Sequence, residues 1–451
     1  MYFSAAVIHV KHTVAHGGDT ICALATAPGR AALAVVRISG TRTRFALETL
    51  AGALPHPRQM SLRRLRDGQG NVLDTALVVL FPCPASATGE DLAELHLHGG
   101  TGVSAAVMAA LTSLSGIRLA EPGEFTRRAV LAGKLDLTEA EAIADLVEAE
   151  TESQRRQAVR QLGGELGRRI GDWRERLLGA LALVEADLDF SDEGDVGDDL
   201  LGPALAEAIS IRIQIESTLN DNRIGERLRD GFTVVIAGPP NAGKSTLLNH
   251  LAGRDVAIVS PFPGTTRDVL EVRCDLGGLP ITLIDTAGVR DSHEPIEREG
   301  IRRAAARMSE ADLVLWLAAA GEASADSPSG ALKVRTKSDL VSASPSLGEI
   351  SVSALTGAGV TDLLGEIEQQ LRALVGAEPA LITRDRHRRA LEDCRAALLR
   401  VCEGRVKAAR EYPELLAQDL RDAVQALGRI TGHVGAEEVL DRIFSSFCIG
   451  K

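Results

Sequence analysis

The chemistry of this chain is concentrated in GPPNAGKSTLLN, residues 238–249, which follows the apolar run FTVVIAG. Gly238, Gly243, Lys244 and Ser245 stand at the spacing Gly-x-x-x-x-Gly-Lys-Ser, and each residue type has a task there. The glycines let the backbone curl until successive N–H groups face phosphate oxygens. Lys244 reaches the β- and γ-phosphates, and the Ser245 hydroxyl is placed to hold Mg²⁺. The main-chain cradle runs from Asn241 and Ala242 to Thr246. A structural glycine turn is the plainer alternative; the completeness of the pattern between a predicted strand and a predicted helix weighs against it.

Three later segments extend the site. LPITLIDTAG reads as a second buried strand ending at Asp285, followed by Thr286, Ala287 and Gly288. In such a DxxG arrangement the Asp supports the metal shell and the Gly senses the γ-phosphate. Between the strands lies PGTTRD, residues 263–268, where Thr266 is the candidate to close onto Mg²⁺ when the γ-phosphate is present. LKVRTKSD supplies Lys337, whose stem can cover a purine ring, and Asp339, which can accept the N1 and N2 protons of guanine. Thr336 precedes them where an Asn amide is usual, so GTP is expected with weaker purine affinity. EISVSALTGAGV offers Ser353 and Ala354 as backbone partners for the base.

Val289 follows Gly288 where many GTPases place a water-orienting Gln. An arginine finger is worth about 10³ to 10⁵ in rate, so an equivalent positive charge is expected. Asn241 and the backbone from Ser260 to Thr265 have the oxygens to coordinate a monovalent cation in that role. Capping of its own loop is the alternative reading of Asn241.

Elements of two kinds must hold these residues. From Thr20 to about Leu119, ALAVVRIS, TALVVLFP and AELHLHG alternate as strands between glycine and proline turns, an α+β pattern. From Thr138 to Arg229, and again from Arg384 to Phe444, apolar spacing is helical, with acidic residues at helix starts. The nucleotide-binding segment lies between these halves. GEASADSPSG, between ADLVLWLAAA and LKVRTKSD, is too short for a crossover helix and predicts a thinly covered sheet face.

At 451 residues the chain has length for about three domains. A hydrophobic content of 45% with 25% charged residues is that of soluble proteins. No apolar run approaches the ~20 residues of a membrane span, and YFSAAVIHV lacks a basic leader, which argues against secretion. Cysteines at 22, 83, 274, 394, 402 and 448 show no metal or disulfide spacing and suit a reducing cytoplasm. All but Cys448 are expected buried or half-buried. A net charge of −12 argues against nonspecific nucleic-acid binding by the whole chain. TRDRHRR, residues 383–389, is the best local RNA candidate, although such runs are ordinarily solvated helix faces. His96 and His98 alternate on a strand and could share one face without a third ligand, and they read as packing or hydrogen-bonding residues. EADLDFSDEGDVGDD lacks the bidentate Glu of a calcium loop, and Gly432-His433-Val434-Gly435 is a weak match to an RNA clamp.

APGRAALAVVRISG, TGEDLAELHLHGG, EPGEFTRRAVLAGKLDLTEAEAIADL, DTAGVR with Glu297 beyond it, and the terminal FSSFCIGK together resemble the bacterial and mitochondrial tRNA-modification GTPase family MnmE, also called TrmE. The resemblance covers roughly Thr20 to Lys451; the stretch before Thr20 reads as an extension or a misplaced start. It implies a multidomain fold: an α+β folate-binding and dimerisation domain at 20–135, an all-α helical domain in two pieces, 136–229 and 377–451, and an inserted α/β P-loop GTPase domain of Ras-like type at 230–376. It implies a cytoplasmic homodimer, activated by K⁺, that joins the FAD-dependent MnmG in a heterotetramer and adds an aminomethyl-type group at C5 of the tRNA wobble uridine. By motif, Asn241, Ser260, Phe262 and Thr265 would line the K⁺ site within the loop that also holds Pro261, Pro263 and Gly264. Ser245 and Thr266 would bind Mg²⁺, with Glu297 orienting water beside Lys244. Arg37, Glu94, Lys134 and Lys451 would form a site for 5-formyl- or methylene-tetrahydrofolate. Cys448 reads either as a packed tail thiol or as a reactive thiol near that site. Competing readings are an RNA-binding assembly GTPase, which requires a basic domain, and a folate-dependent one-carbon transferase with a regulatory G domain.

Overall fold

The computed structural model describes residues 19–189, 200–254, 256–258, 271–286, 305–322, 327–341, 348–375, 380–403, 413–434, 443–444, 447 and 450. They fall into two compact units, one of residues 1–141 with 431–451 and one of residues 142–430.

The first unit contains β1 (Thr20–Leu24), β2 (Leu33–Ser39), α1 (Thr43–Ala51), β3 (Ser61–Arg66), β4 (Val72–Phe81), β5 (Leu92–His98), α2 (Thr101–Thr112), β6 (Ile117–Leu119) and α3 (Glu124–Leu131). Its sheet runs β3-β4-β5-β2-β1-β6, antiparallel throughout except for the parallel β1–β6 pair. Alternation along β2 buries Ala34, Val36 and Ile38 with Leu95 and Leu97 of β5, against Leu47 of α1 and Leu111 of α2. The period of two then puts Arg37 and Glu94 on the opposite face, directly across from each other.

α4 (Leu137–Glu148) leads into the second unit, which holds α5 (Glu152–Leu162), α6 (Glu165–Asp189), α7 (Leu201–Leu219), α8 (Ile224–Asp230), β7 (Phe232–Ala237), α9 (Lys244–Ala252), β8 (Glu271–Leu276), β9 (Leu279–Asp285), β10 (Leu313–Ala319), β11 (Leu332–Thr336), β12 (Glu349–Ser351), α10 (Val360–Leu374), α11 (Asp385–Glu403) and α12 (Pro413–Thr431). The sheet order is β12-β11-β10-β7-β9-β8, with β8 the antiparallel edge. Its central strands are apolar runs because both faces are covered, as in β7, where Phe232, Val234, Val235 and Ile236 are all buried. Among the described residues between β10 and β11 none is helical, in line with the short connection read from the sequence.

The helices share a separate core of Trp173 on α6, Ile211 on α7, Leu398 on α11 and Leu427 on α12. Trp173 also donates its indole N–H to Gln214 Oε1 at 2.9 Å, so its polar atom is satisfied. Gly432, φ +86°, follows α12 as a left-handed helix stop, which accounts for the first glycine of the apparent RNA clamp. The acidic stretch at 190–199 lies outside the described residues.

Two sequence expectations are corrected. Cys83 is exposed, in the turn after β4, whereas Cys22, Cys274 and Cys394 are buried. In the basic run 383–389, Arg384, Arg386 and Arg388 are drawn into internal contacts, while Arg389, 76% exposed, stays on the solvated face. Arg384 pairs with Asp145, Arg386 donates to the Arg429 and Ile430 carbonyls, Arg388 pairs with Asp221 and Glu226, and Arg389 with Asp385. Residue type sets the charge of such a run, but acidic partners far away in the chain decide whether it faces solvent.

Candidate nucleotide-binding site

β7 delivers the chain to Gly238 at φ +142°, where a Cβ would stand 2.2 Å from the Leu317 carbonyl oxygen of β10. Only glycine lets the loop cross that neighbouring strand. Asn241 at φ +62° and Gly243 at φ +85° complete the curl, and α9 begins at once. The loop closes around Lys244, which is 8% exposed and whose Nζ donates to Gly238 O at 2.9 Å and Pro239 O at 2.8 Å. Loop amides and the amino end of α9 thus converge with an ammonium, an arrangement suited to anionic oxygens. Asn241, Ser245 and Thr246 face solvent. The Asn241 side chain makes no hydrogen bond to a described residue, so the loop-capping reading gains no support.

β9 lies parallel to β7, with Asp285 level with Ile236. Asp285 is 1% exposed, and its Oδ2 accepts from Ser245 Oγ at 2.6 Å. A hydroxyl and a carboxylate meeting at the loop mouth are the oxygen donors that Mg²⁺ requires. Thr286 is fastened beside them, its N–H and hydroxyl donating to Ile236 O at 3.3 and 3.0 Å.

β11 ends at Thr336, which is 4% exposed. Its hydroxyl donates to the Ala242 carbonyl at 2.6 Å, with Ala318 O at 3.3 Å. The residue that departs from the usual Asn therefore ties the end of β11 to the loop before α9. Lys337 follows in a left-handed conformation, φ +57°, with Asp339 exposed beyond it. The Ser338 N–H donates to Val352 O at 3.2 Å, which holds this strand end to the turn carrying Ser353 and Ala354. There the Ser353 N–H donates to Ala358 O at 2.9 Å, so that amide serves the turn itself.

The structure thus brings together Asn241 to Thr246, Asp285, Thr286 and Thr336, with Lys337, Asp339, Ser353 and Ala354 on adjoining loops. Ser260 to Thr266, Ala287, Gly288 and Glu297 lie outside the described residues. In the first unit, Arg37 Nη2 donates to Glu94 Oε1 at 2.9 Å, His96 Nε2 lies 3.2 Å from Glu94 Oε2, and Arg37 Nη1 reaches Gly450 O at 3.4 Å. His98 Nδ1 bonds Asp74 at 2.7 Å, so both histidines pair with carboxylates. Lys134 is exposed with its stem beside Gly89. Cys448 and Lys451 lie outside the described residues.

Residues 20–134 match the family model for the GTP-binding protein TrmE N-terminus, and residues 137–448 match that for the MnmE helical domain. The chain belongs to the MnmE family of tRNA modification GTPases. A tRNA modification GTPase MnmE of Methylorubrum populi is 58% identical over 440 residues, covering 96% of this chain and 98% of that one. Its counterpart in a Methylobacterium species is 57% identical over 441 residues, 96% and 100% of the two chains. That of Rhodopseudomonas palustris is 52% identical over 445 residues, 97% and 100%. Among solved structures, the G domain of the T. maritima FeoB iron transporter aligns with 31% of this chain and 98% of its own at 24% identity and a TM-score of 0.24, too low to carry an argument. As an MnmE family member the chain is a GTPase of tRNA modification.

Sequence reasoning passed over Asp145, Glu226 and the glutamines of α5, which hold the nucleotide-binding sheet to the helices. The helical spacing of Gln154, Gln157 and Gln161, three residues and then four, was the one available signal, and polar residues at that spacing ordinarily mark a solvated face.

Proposed function

We propose that this chain is a K⁺-activated GTP hydrolase that works as a homodimer with the flavoprotein MnmG, in the cytoplasm, to modify C5 of the wobble uridine of tRNA. The observation that carries the reading is the meeting of Ser245 and Asp285 at 2.6 Å beside an enclosed Lys244. In this reading the loop amides and Lys244 hold the β- and γ-phosphates. Ser245 and Thr266, with Asp285 in support, would hold Mg²⁺, which would supply positive charge against the phosphate oxygens. Water oriented by Glu297 attacks the γ-phosphorus in line, and the bond to the β-phosphate oxygen breaks to give GDP and phosphate. Asn241, with the loop from Ser260 to Thr265, would hold K⁺ where an arginine finger is otherwise needed. Residues 230–376 serve as the G domain inserted between helical segments 136–229 and 377–451, and 20–135 as the folate-binding, dimerising domain. The partly exposed row Arg37, Glu94 and His96 offers both donors and acceptors on one sheet face, which suits a tetrahydrofolate; Lys134 and Lys451 complete that proposed set.

An RNA-binding assembly GTPase fits less well, because Arg384 and Arg388 of the basic run are occupied by internal partners. The test is the GTPase rate in K⁺ against Na⁺ with Asn241→Ala beside the unsubstituted chain. A rate at least tenfold higher in K⁺, lost in the variant, is expected; equal rates in both salts would overturn the cation assignment. Unchanged wobble nucleosides in tRNA from a deletion strain would overturn the pathway.

A further inference from the structure

The inserted sheet is joined to the helices by two crossings: the chain goes in through α8 and comes out through residues 380–384 into α11. Both are held by α4 and α5. Gln154, Gln157 and Gln161 stand at i, i+3 and i+7 on one face of α5. Gln154 Nε2 donates to Arg229 O at 2.9 Å and Gln157 Nε2 to Gly225 O at 2.8 Å, both on the inbound crossing. Gln161 Oε1 accepts from Thr383 Oγ1 at 2.8 Å on the outbound one. On α4, Asp145 Oδ1 accepts from Arg229 Nε at 2.9 Å and from Arg384 Nη2 at 2.5 Å, so one carboxylate, 11% exposed, takes a guanidinium from each crossing. Arg388 of α11 fastens the crossings to each other through Asp221 at 2.6 Å and Glu226 at 3.0 Å.

The same helix also touches the nucleotide-binding sheet. At its first turn the Ser153 N–H donates to Gly278 O at 3.2 Å, in the turn between β8 and β9. β9 carries Asp285 at its far end. A cleft of about 350 Å³, lined by Asp145, Gln154, Arg229, Arg273 and Thr282 among others, separates this hairpin from α4 and α5 and leaves room for displacement. Two guanidiniums on one carboxylate demand a single relative placement of both crossings, because charge-assisted hydrogen bonds are directional. Sliding one crossing would break an ion pair whose carboxylate is 11% exposed, so displacement carries a cost.

We propose that Asp145 and the glutamine row of α5 form a clasp that carries the nucleotide state from the β8–β9 hairpin to α11 and the helical core. These are positioning residues, and the proposal rests on GTP binding at the phosphate loop. The test is hydrogen exchange of the full chain with GDP and with a non-hydrolysable GTP analogue, for the unsubstituted chain, Asp145→Asn and the double variant Gln157→Ala/Gln161→Ala. In the unsubstituted chain the two nucleotides should give different protection both in 271–285 and in 385–403. Both variants should keep the first difference and nucleotide affinity within twofold, while the second falls at least fivefold. The double variant keeps the test available should Asp145→Asn not fold. Persistence of the α11 difference in either folded variant, or its absence from the unsubstituted chain while the hairpin responds, would overturn the clasp. Absence of both differences would overturn the nucleotide reading as well.

Discussion

Thr336 shows how one side chain can keep a role after losing its usual chemistry. A hydroxyl has one proton to give, and here it goes to the Ala242 carbonyl at 2.6 Å, bracing the phosphate loop from the end of β11. Thr336→Val keeps the shape and removes the donor, leaving that carbonyl without its partner. The loss of a net hydrogen bond, about 1–1.5 kcal/mol, predicts roughly tenfold weaker GTP and GDP binding. Titration calorimetry on the variant checks this; unchanged affinities would mean the tie is idle. The buried thiols are inert for a related reason of environment: burial pushes Cys22 and Cys274 up to about 11, and burial followed by the nearby Asp393 pushes Cys394 to about 12.

At the scale of elements, α3 starts on a buried acid. Gly123, φ +67°, leads into Glu124, which accepts from Arg118 Nη2 at 2.6 Å, Arg128 Nη2 at 2.9 Å and the Glu121 N–H at 2.9 Å. Burial alone would raise this carboxyl; Arg118, the Glu121 amide and Arg128 outweigh it and hold it at about 2, against an ordinary 4.5. Because the folded value is the lower one, the stabilisation is present above about pH 4.5 and drains away as pH falls towards 2. The amount is on the order of 2–3 kcal/mol. Urea midpoints followed by circular dichroism should therefore fall from pH 5 to pH 3, with a flatter profile in Glu124→Gln. That variant should also be weaker at pH 7, since Arg128, 6% exposed, loses a charged partner. Parallel profiles for the two proteins would refute the assignment.

For the molecule as a whole, the insertion of a sheet into a set of helices concentrates strain and specificity at the two crossings. Gly225 lies so close to the outbound chain that a Cβ would stand 2.0 Å from Ile382 O. Gly225→Ala must push the crossings apart, at a cost of about 3 kcal/mol by the scale of severe backbone clashes. A thermal melt should show its lowest transition reduced by several degrees, and a transition unmoved would mean the crossings are loose. In a chain of net charge −12, Arg384 and Arg388 of the run 383–389 are spent on internal carboxylates, which leaves much of the tRNA grip to a partner in the proposed assembly.

The phosphate loop was legible in the sequence because its function depends on main-chain amides within one short stretch, where spacing and geometry are the same information. Strand and helix periods likewise exposed the α+β and all-helical segments, since each period is set by local backbone geometry. What the tertiary structure alone decided were pairings between distant positions: Thr336 with Ala242, 94 residues apart, Arg388 with Glu226, 162 apart, and Arg384 with Asp145, 239 apart. An ion pair or a single hydrogen bond leaves no periodic trace in either partner, so its existence depends on the packing that brings the two segments together.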